Sequence, residues 1–136
     1  MQTRASLALT KIAGSLKFQT LITVTSTTQL AVLATLPTLD GVIVSNRLLE
    51  DFSYDMTGQQ ALDLLKSSEL EILKEKHANL LILAEGRLGI IGAEKEGART
   101  YLQQLKDAGA HGGIMGGGLA VDGMSLAKAQ LLADSL

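Results

Sequence analysis

The spacing of apolar residues changes several times along this chain, and these changes limit its fold more than any other feature. Residues 2–13 and 98–105 place apolar side chains three or four positions apart, as on one face of a helix. The runs 16–24, 30–36 and 42–44 are instead alternating or rich in β-branched residues, which is typical of strands. No Pro- or Ser-rich linker separates the two kinds of segment, so we predict a single domain, residues 1–136, that mixes helices and strands.

The order of these segments predicts an α+β fold with a mainly antiparallel sheet. We expect a hairpin within residues 16–36 and a third strand after the turn signal at Asp40-Gly41. Three further β-like runs, at 70–76, 79–85 and 87–93, are interpreted as an antiparallel meander.

Helices are expected at the N-terminus, at the centre and twice near the C-terminus. Gly14 would close the first of them as a C-cap. The central helix is predicted from Thr57 and Gln60, which have the spacing of a capping box. The two C-terminal helices are predicted at 98–105 and at 124–133.

Composition excludes several classes of protein. The chain of 136 residues has no cysteine, which removes disulfide scaffolds, thiolate zinc sites, iron–sulfur clusters and cysteine nucleophiles. Twelve Lys and Arg against 14 Asp and Glu give a net charge of −2, whereas binding to nucleic acid by phosphate contacts favours a basic chain. We therefore do not expect a nucleic-acid partner.

The N-terminal third raises the questions of targeting and of membrane insertion. Residues 16–39 are apolar, but Lys17, Gln19, Gln29 and Pro37 interrupt them, so no membrane span is predicted and a cytoplasmic location is expected. Residues 1–39 carry three basic residues and no carboxylate, which is the composition of an organellar transit peptide. That interpretation stays as the alternative.

A glycine-rich run over residues 109–118 is the most unusual feature of the sequence. Backbone amides in such a loop can approach an anion closely, particularly where a helix follows. The spacing matches neither a dinucleotide-binding fingerprint nor a P-loop, because Leu119 stands where a P-loop has its lysine. A helix C-cap followed by a tight connector is the alternative. The candidate ligand-binding residues are His111, Gly112, Gly113, Gly116, Gly117 and Gly118.

Catalytic chemistry has little support in the sequence. His111 could act as a general base, but neither Asp107 nor Asp122 stands at a diagnostic spacing from it. His77 falls at a predicted turn, and two histidines 34 positions apart without a local carboxylate pattern do not make a metal motif. We predict no catalytic residue, no metal site and no cofactor, and whether the chain is an enzyme stays open.

Two resemblances of pattern accompany these observations. Residues 79–133, with Gly116-Gly117-Gly118, resemble the glycine-rich C-terminal module of alanyl-tRNA synthetases and related phosphoesterases, although Leu119 and Ala120 follow where that family has a basic or polar residue. The predicted element order also resembles the Roadblock family, which implies a dimeric scaffold that regulates small GTPases and motors.

Together these observations favour a non-enzymatic interaction, scaffold or regulatory domain that acts as a homo-oligomer or as a small subunit of an assembly. Its apolar runs, such as 30–36 and 79–83, require burial that a partner could provide. The alternative is a domain that binds an anion, a nucleotide or RNA through the loop 109–118, with Lys106 or Lys128 assisting.

Overall fold

The chain forms five helices and four short strands in the part that this computed structural model describes, which is residues 2–91 and 98–115 together with 130 and 134. A helical segment connects each strand to the next. In chain order the elements are α1 (Gln2–Ser15), β1 (Leu21–Val24), α2 (Thr27–Leu33), β2 (Gly41–Ser45), α3 (Gln59–Leu65), α4 (Ser68–Lys76), β3 (Leu81–Glu85), α5 (Ala98–Asp107) and β4 (Gly112–Ile114).

The four strands form one parallel sheet in the order β1-β2-β3-β4. The fold is therefore α/β, and the prediction of an α+β fold with a mainly antiparallel sheet is wrong. Parallel neighbours cannot be joined by a tight turn and need a crossover connection, usually a helix. The segments that looked like additional strands supply these crossovers.

The predicted hairpin within residues 16–36 fails because residues 27–33 form α2. Ser26 is the N-cap of this helix, and its hydroxyl accepts a hydrogen bond from the backbone N–H of Gln29 at 3.4 Å. The side chain of Gln29 reaches back and accepts from the N–H of Thr25 at 2.7 Å. Ser26 and Gln29 thus have capping-box spacing, a helix signal within an apolar run that also suits a strand.

The predicted meander fails for a similar reason. Residues 68–76 form α4, where Leu70 and Leu73 lie on the buried face. The first turn of α4 carries two glutamates and the last turn two lysines, which suits the helix dipole. The run 87–93 is not a strand where it is described, since residues 87–91 form a turn that begins with Arg87 at a φ of 59°.

Other predicted elements are confirmed. β2 and β3 occupy the runs 42–44 and 79–85, while α1 and α5 extend their predicted helices by about one turn or less. After α1 the left-handed residue is Lys17, at a φ of 61°, rather than Gly14. The central helix α3 is confirmed, but the predicted capping box of Thr57 and Gln60 is wrong, because the N-cap is Gly58, which has no side chain to accept a hydrogen bond. Apart from Gln130, which is helical, the predicted helix 124–133 lies outside the described residues.

The sequential strand order makes the sheet one-sided. Parallel crossovers are right-handed in nearly all proteins, so consecutive neighbours place their helices on the same face. The burial of the strand side chains is consistent with helices on one face. Val42, Val44 and Ile82 are almost completely buried in one core with the leucines of α2, α3, α4 and α5. None of the described helices has the length and apolarity needed to cross a membrane.

Candidate functional site

The opposite face of the sheet, here called the open face, carries apolar residues that the described helices leave accessible. Leu21, Leu81 and Ile114 are 40 to 45% exposed, although each lies in or at the end of a strand. Ile43 and Leu83, at the centre, are partly buried. The open face consists of Leu21, Thr23, Ile43, Ser45, Leu81, Leu83, Glu85 and Ile114.

The open face is concave and polar at the carboxyl ends of its strands. A cleft of about 470 Å³ lies there, and ligand sites of open α/β sheets are found at this end of the strands. Apolar walls and polar side chains both contribute to it. The lining residues are Thr23, Thr25, Gln29, Ile43, Ser45, Arg47, Leu49, Glu85 and Ile114.

Ser45 and Glu85 form the base of this cleft. They are register partners on β2 and β3, and the buried hydroxyl of Ser45 donates a hydrogen bond to the carboxylate of Glu85. The same hydroxyl accepts from the backbone N–H of Arg47 at 3.0 Å. Glu85 makes no ion pair with any residue that the structure describes. The hydrogen bond from Ser45 leaves other acceptor positions of the Glu85 carboxylate open, and a cationic partner that binds there would offset the cost of its apolar surroundings.

Arg47 stands at the rim of the cleft and is held by Tyr54. Its guanidinium donates a hydrogen bond to the Tyr54 hydroxyl, and its guanidinium carbon lies 4.8 Å from the centroid of the Tyr54 ring. Arg87 lies against the same ring, with its guanidinium carbon 5.0 Å from the centroid. These cation–π contacts place two positive charges near the carboxyl ends of β2 and β3.

Asn46 fixes the loops that carry this site. Its side chain is fully buried, and its Oδ1 accepts from the N–H of Ala61 at 3.0 Å. Its Nδ2 donates to the carbonyl of Gly86 at 3.2 Å and to the hydroxyl of Tyr101 at 2.9 Å. That hydroxyl donates in turn to the carbonyl of Gly58 at 2.8 Å, and burial raises the pKa of Tyr101. The network ties β2 and β3 to α3 and α5, so the carboxyl end is a rigid platform.

The start of α3 is held to the same platform by Asp55 and Gln60. Burial alone would raise the pKa of the Asp55 carboxyl, but hydrogen bonds from Thr57 and Gln60 outweigh it and lower the pKa. The side-chain amide of Gln60 donates to the carbonyls of Ser45 and Arg47 at 2.7 and 2.8 Å. The residues that suggested a capping box therefore anchor the loop after β2.

His111 lies away from this cleft and has a structural contact. Its backbone N–H donates to the carbonyl of Ile82 at 2.7 Å, and its Nδ1 accepts from the N–H of the same residue at 3.0 Å. The imidazole thus completes the pairing of β3 where β4 has not yet begun. Although the histidine is exposed, this nitrogen is occupied as an acceptor.

The described part of the glycine-rich run closes α5 and forms β4. Gly109 has a φ of 110°, as expected of a helix C-cap. A Cβ on Gly113 would lie 2.6 Å from the Leu88 side chain, so this glycine permits close packing. Gly112 and Gly113 also line a mainly apolar groove of about 590 Å³ beside α5, with His111 and Lys106. Gly116, Gly117, Gly118 and Lys128 lie outside the described residues.

Sequence reasoning did not predict the cleft. No element is predicted for residues 47–55, which include Arg47 and Tyr54, and Glu85 falls at the end of a predicted strand with no role assigned to it. The residues that the structure describes hold no group of three or more acidic or histidine side chains placed to bind a metal.

Comparisons with protein-family models, curated proteins and solved structures give no match to this chain. The resemblance to the Roadblock family depended on a hairpin and an antiparallel meander, which the parallel sheet replaces. Function must therefore be argued from the site itself.

Proposed function

We propose that this chain is a non-enzymatic association domain whose open face is buried against a second copy in a homodimer. The observation that carries the proposal is a parallel sheet with apolar residues exposed on one face. Parallel sheets occur almost only with both faces covered, whereas antiparallel sheets tolerate one solvated face. A second layer is therefore expected, and an identical chain can supply it.

The magnitude of apolar burial supports association of moderate strength. Full burial of a leucine or isoleucine side chain stabilises by about 1.5–3 kcal/mol, so five half-buried ones add about 5 kcal/mol. Loss of translational and rotational freedom costs about 4–15 kcal/mol. Apolar contacts at the centre of the open face thus need support from its polar end.

Charge favours a second copy of this chain as the occupant. The cleft at the carboxyl end of the open face is lined by one carboxylate, that of Glu85, and one guanidinium, that of Arg47, and neither forms an ion pair with a residue that the structure describes. A surface that carries one acid and one base is complementary to itself. A partner of strongly acidic or strongly basic character would leave one of the two charges unmatched.

The experiment is sedimentation velocity on the purified chain over a concentration series. We expect a reversible monomer–dimer equilibrium that Leu83→Asp abolishes, because the substitution places a charge at the centre of the open face. The matched control is Ile72→Asp, which changes a 54% exposed residue of α4 in the helical layer. A wild-type chain that stays monomeric at the highest concentration would reject the proposal, as would equal effects of the two variants in folded protein.

The cleft favours a second candidate function, which is binding of a small zwitterionic or anionic ligand. Arg47 would hold a carboxylate or phosphate, and Glu85 would hold an amino group, against the apolar side chains of Ile43 and Ile114. Inorganic phosphate and free amino acids are the probes. An increase in melting temperature with one of them, lost in Arg47→Ala, would support this function, because a ligand that binds only folded protein stabilises it by mass action.

A further inference from the structure

The layout of the open face also points to a particular arrangement of the two copies, and this inference rests on the proposed homodimer. Three rows of register partners cross the sheet. Leu21 and Leu81 lie in the row nearest the amino ends of the strands, Ile43 and Leu83 lie at the centre, and Ser45, Glu85 and Ile114 lie nearest the carboxyl ends. Apolar residues therefore occur in all three rows, whereas the carboxylate of the open face lies at one end.

Two sheets that stack face to face can run their strands in opposite directions or in the same direction. In the opposite arrangement the carboxyl end of one copy covers the amino end of the other. Each Glu85 would then be buried against Leu21 or Leu81 of the partner copy, without a cation. Burying an unpaired carboxylate is costly, so this arrangement is disfavoured.

We infer that the two sheets stack with their strands in the same direction, about a two-fold axis that runs along the strands between β2 and β3. Because β2 and β3 are the central strands, this axis places β2 of each copy over β3 of the other and β1 over β4. Stacked sheets lie about 10 Å apart with their strands aligned to within about 30°. All four strands of each copy then contribute to the interface.

The axis brings apolar residues together at the centre and opposite charges together at the carboxyl end. Ile43 of one copy lies over Leu83 of the other, since the two are register partners within one sheet. Ser45 lies over Glu85 in the same way, and Arg47 follows Ser45 by two residues on the same strand path. Each Glu85 can thus pair with Arg47 of the other copy, and symmetry repeats the pair.

The reciprocal ion pair supplies specificity for this alignment. Glu85 keeps its hydrogen bond from Ser45, and Arg47 keeps its contact with Tyr54, so both groups are positioned before the copies meet. A shift of one copy along the strands would separate the charges and leave them buried. The carboxyl end thereby selects one arrangement from an apolar surface that alone would accept several.

Charge reversal tests the inference directly. Glu85→Arg places arginine against arginine in its own homodimer, and Arg47→Glu places glutamate against glutamate. We expect each variant alone to dimerise at least about tenfold more weakly than the wild type. Mixed in equal amounts, the two variants should form a heterodimer of near wild-type affinity, because both of its charge pairs are then attractive.

Disulfide trapping gives a second measurement that does not depend on those variants. The chain has no cysteine of its own, so single cysteines report only the introduced positions. A mixture of Ile43→Cys and Leu83→Cys should form a crosslinked heterodimer on mild oxidation. Ile72→Cys on α4, mixed with Leu83→Cys, is the control that should stay uncrosslinked at equal concentration.

The outcomes separate this inference from the proposed function. A monomeric wild type defeats both. A dimeric wild type whose folded charge-reversal variants dimerise normally leaves the association domain standing but overturns the Glu85–Arg47 pair. Two monomeric, folded variants that do not form a heterodimer when mixed also overturn it, and failure of Ile43→Cys to crosslink with Leu83→Cys overturns the alignment of the strands.

Discussion

The covered and open faces of the sheet are built from alternating residues of the same strands. On β3, Ile82 is 2% exposed beneath the helices, while its neighbour Leu81, one position earlier, is 40% exposed on the open face. Both residues are aliphatic, so hydrophobicity does not distinguish the two sides. The direction of the crossovers does, because it places every connecting helix on one side. The described residues thus have the composition of a sheet buried on both faces, but their helices cover only one.

The largest expected effect is on the free energy of unfolding, and it distinguishes two residues of β3 that lie on opposite faces of the sheet. Ile82→Ala should lower the free energy of unfolding by about 3 kcal/mol, because it opens a cavity in the core. Leu83→Ala should lower it by about 1 kcal/mol in dilute protein and should weaken dimerisation instead. Urea unfolding at low concentration, with sedimentation, measures both quantities. Equal losses of stability would contradict the division into a covered and an open face.

A smaller effect is expected at the platform below the cleft. Asn46→Ala removes a fully buried amide and leaves the N–H of Ala61 and the carbonyl of Gly86 without their partners. We expect a loss of about 2 kcal/mol in urea unfolding. Tyr101→Phe is the matched control, since it keeps the ring and removes only the hydroxyl, and it should cost about 1 kcal/mol. A larger loss of stability in Tyr101→Phe than in Asn46→Ala would show that the Tyr101 hydroxyl, and not the Asn46 amide, contributes most to this network.

The next prediction concerns His111 and the glycine-rich run. His111→Ala removes the acceptor for the N–H of Ile82 at the edge where β4 begins, and we expect a loss of about 1 kcal/mol. Dimerisation and any response to phosphate should be unchanged, because the imidazole lies outside the cleft. Thermal unfolding with and without phosphate measures this. A phosphate-induced increase in melting temperature that disappears in His111→Ala would restore the loop as an anion site.

The smallest effect is a dependence on pH at the start of α3. The folded state lowers the pKa of Asp55, so the carboxylate stabilises the fold above the ordinary aspartate pKa and loses this contribution as the pH falls through the lowered value. Asp55→Asn should cost about 0.5–1 kcal/mol near neutral pH. The difference from wild type should narrow in acid, as measured by urea unfolding across pH. A difference that is constant with pH would assign the effect to lost packing.

The sequence predicted the elements whose signals were local, either a sustained helical period or a β-branched run after a turn. α5 was found because Ala98, Tyr101 and Leu105 repeat at helical spacing, and β2 because a β-branched run follows a turn. The direction of the strands was missed, although the uninterrupted run Val42-Ile43-Val44 suits a buried parallel strand as well as an antiparallel one. Short helices such as α2 and α4 were mistaken for strands, because seven to nine residues show too few turns to establish a period.

The candidate site was beyond sequence reasoning for a different reason. Ser45 and Glu85 are 40 positions apart, and only the register of two parallel strands makes them neighbours. Arg47 and Tyr54 are close in sequence, but their pairing depends on a loop without a regular period. The open face itself cannot be recognised from composition, because its central residues Ile43 and Leu83 are as apolar as the strand residues of the core.

The sequential strand order also governs how this chain can fold. Each strand pairs with the strand before it in the sequence, and the register partners of successive pairs are 20, 40 and 29 positions apart along the chain. Such separations raise the contact order and slow the formation of a parallel sheet, but each new strand needs only the preceding one as its template. The sheet can therefore grow by adding one helix–strand unit at a time from the N-terminal edge, in the order in which a ribosome delivers them.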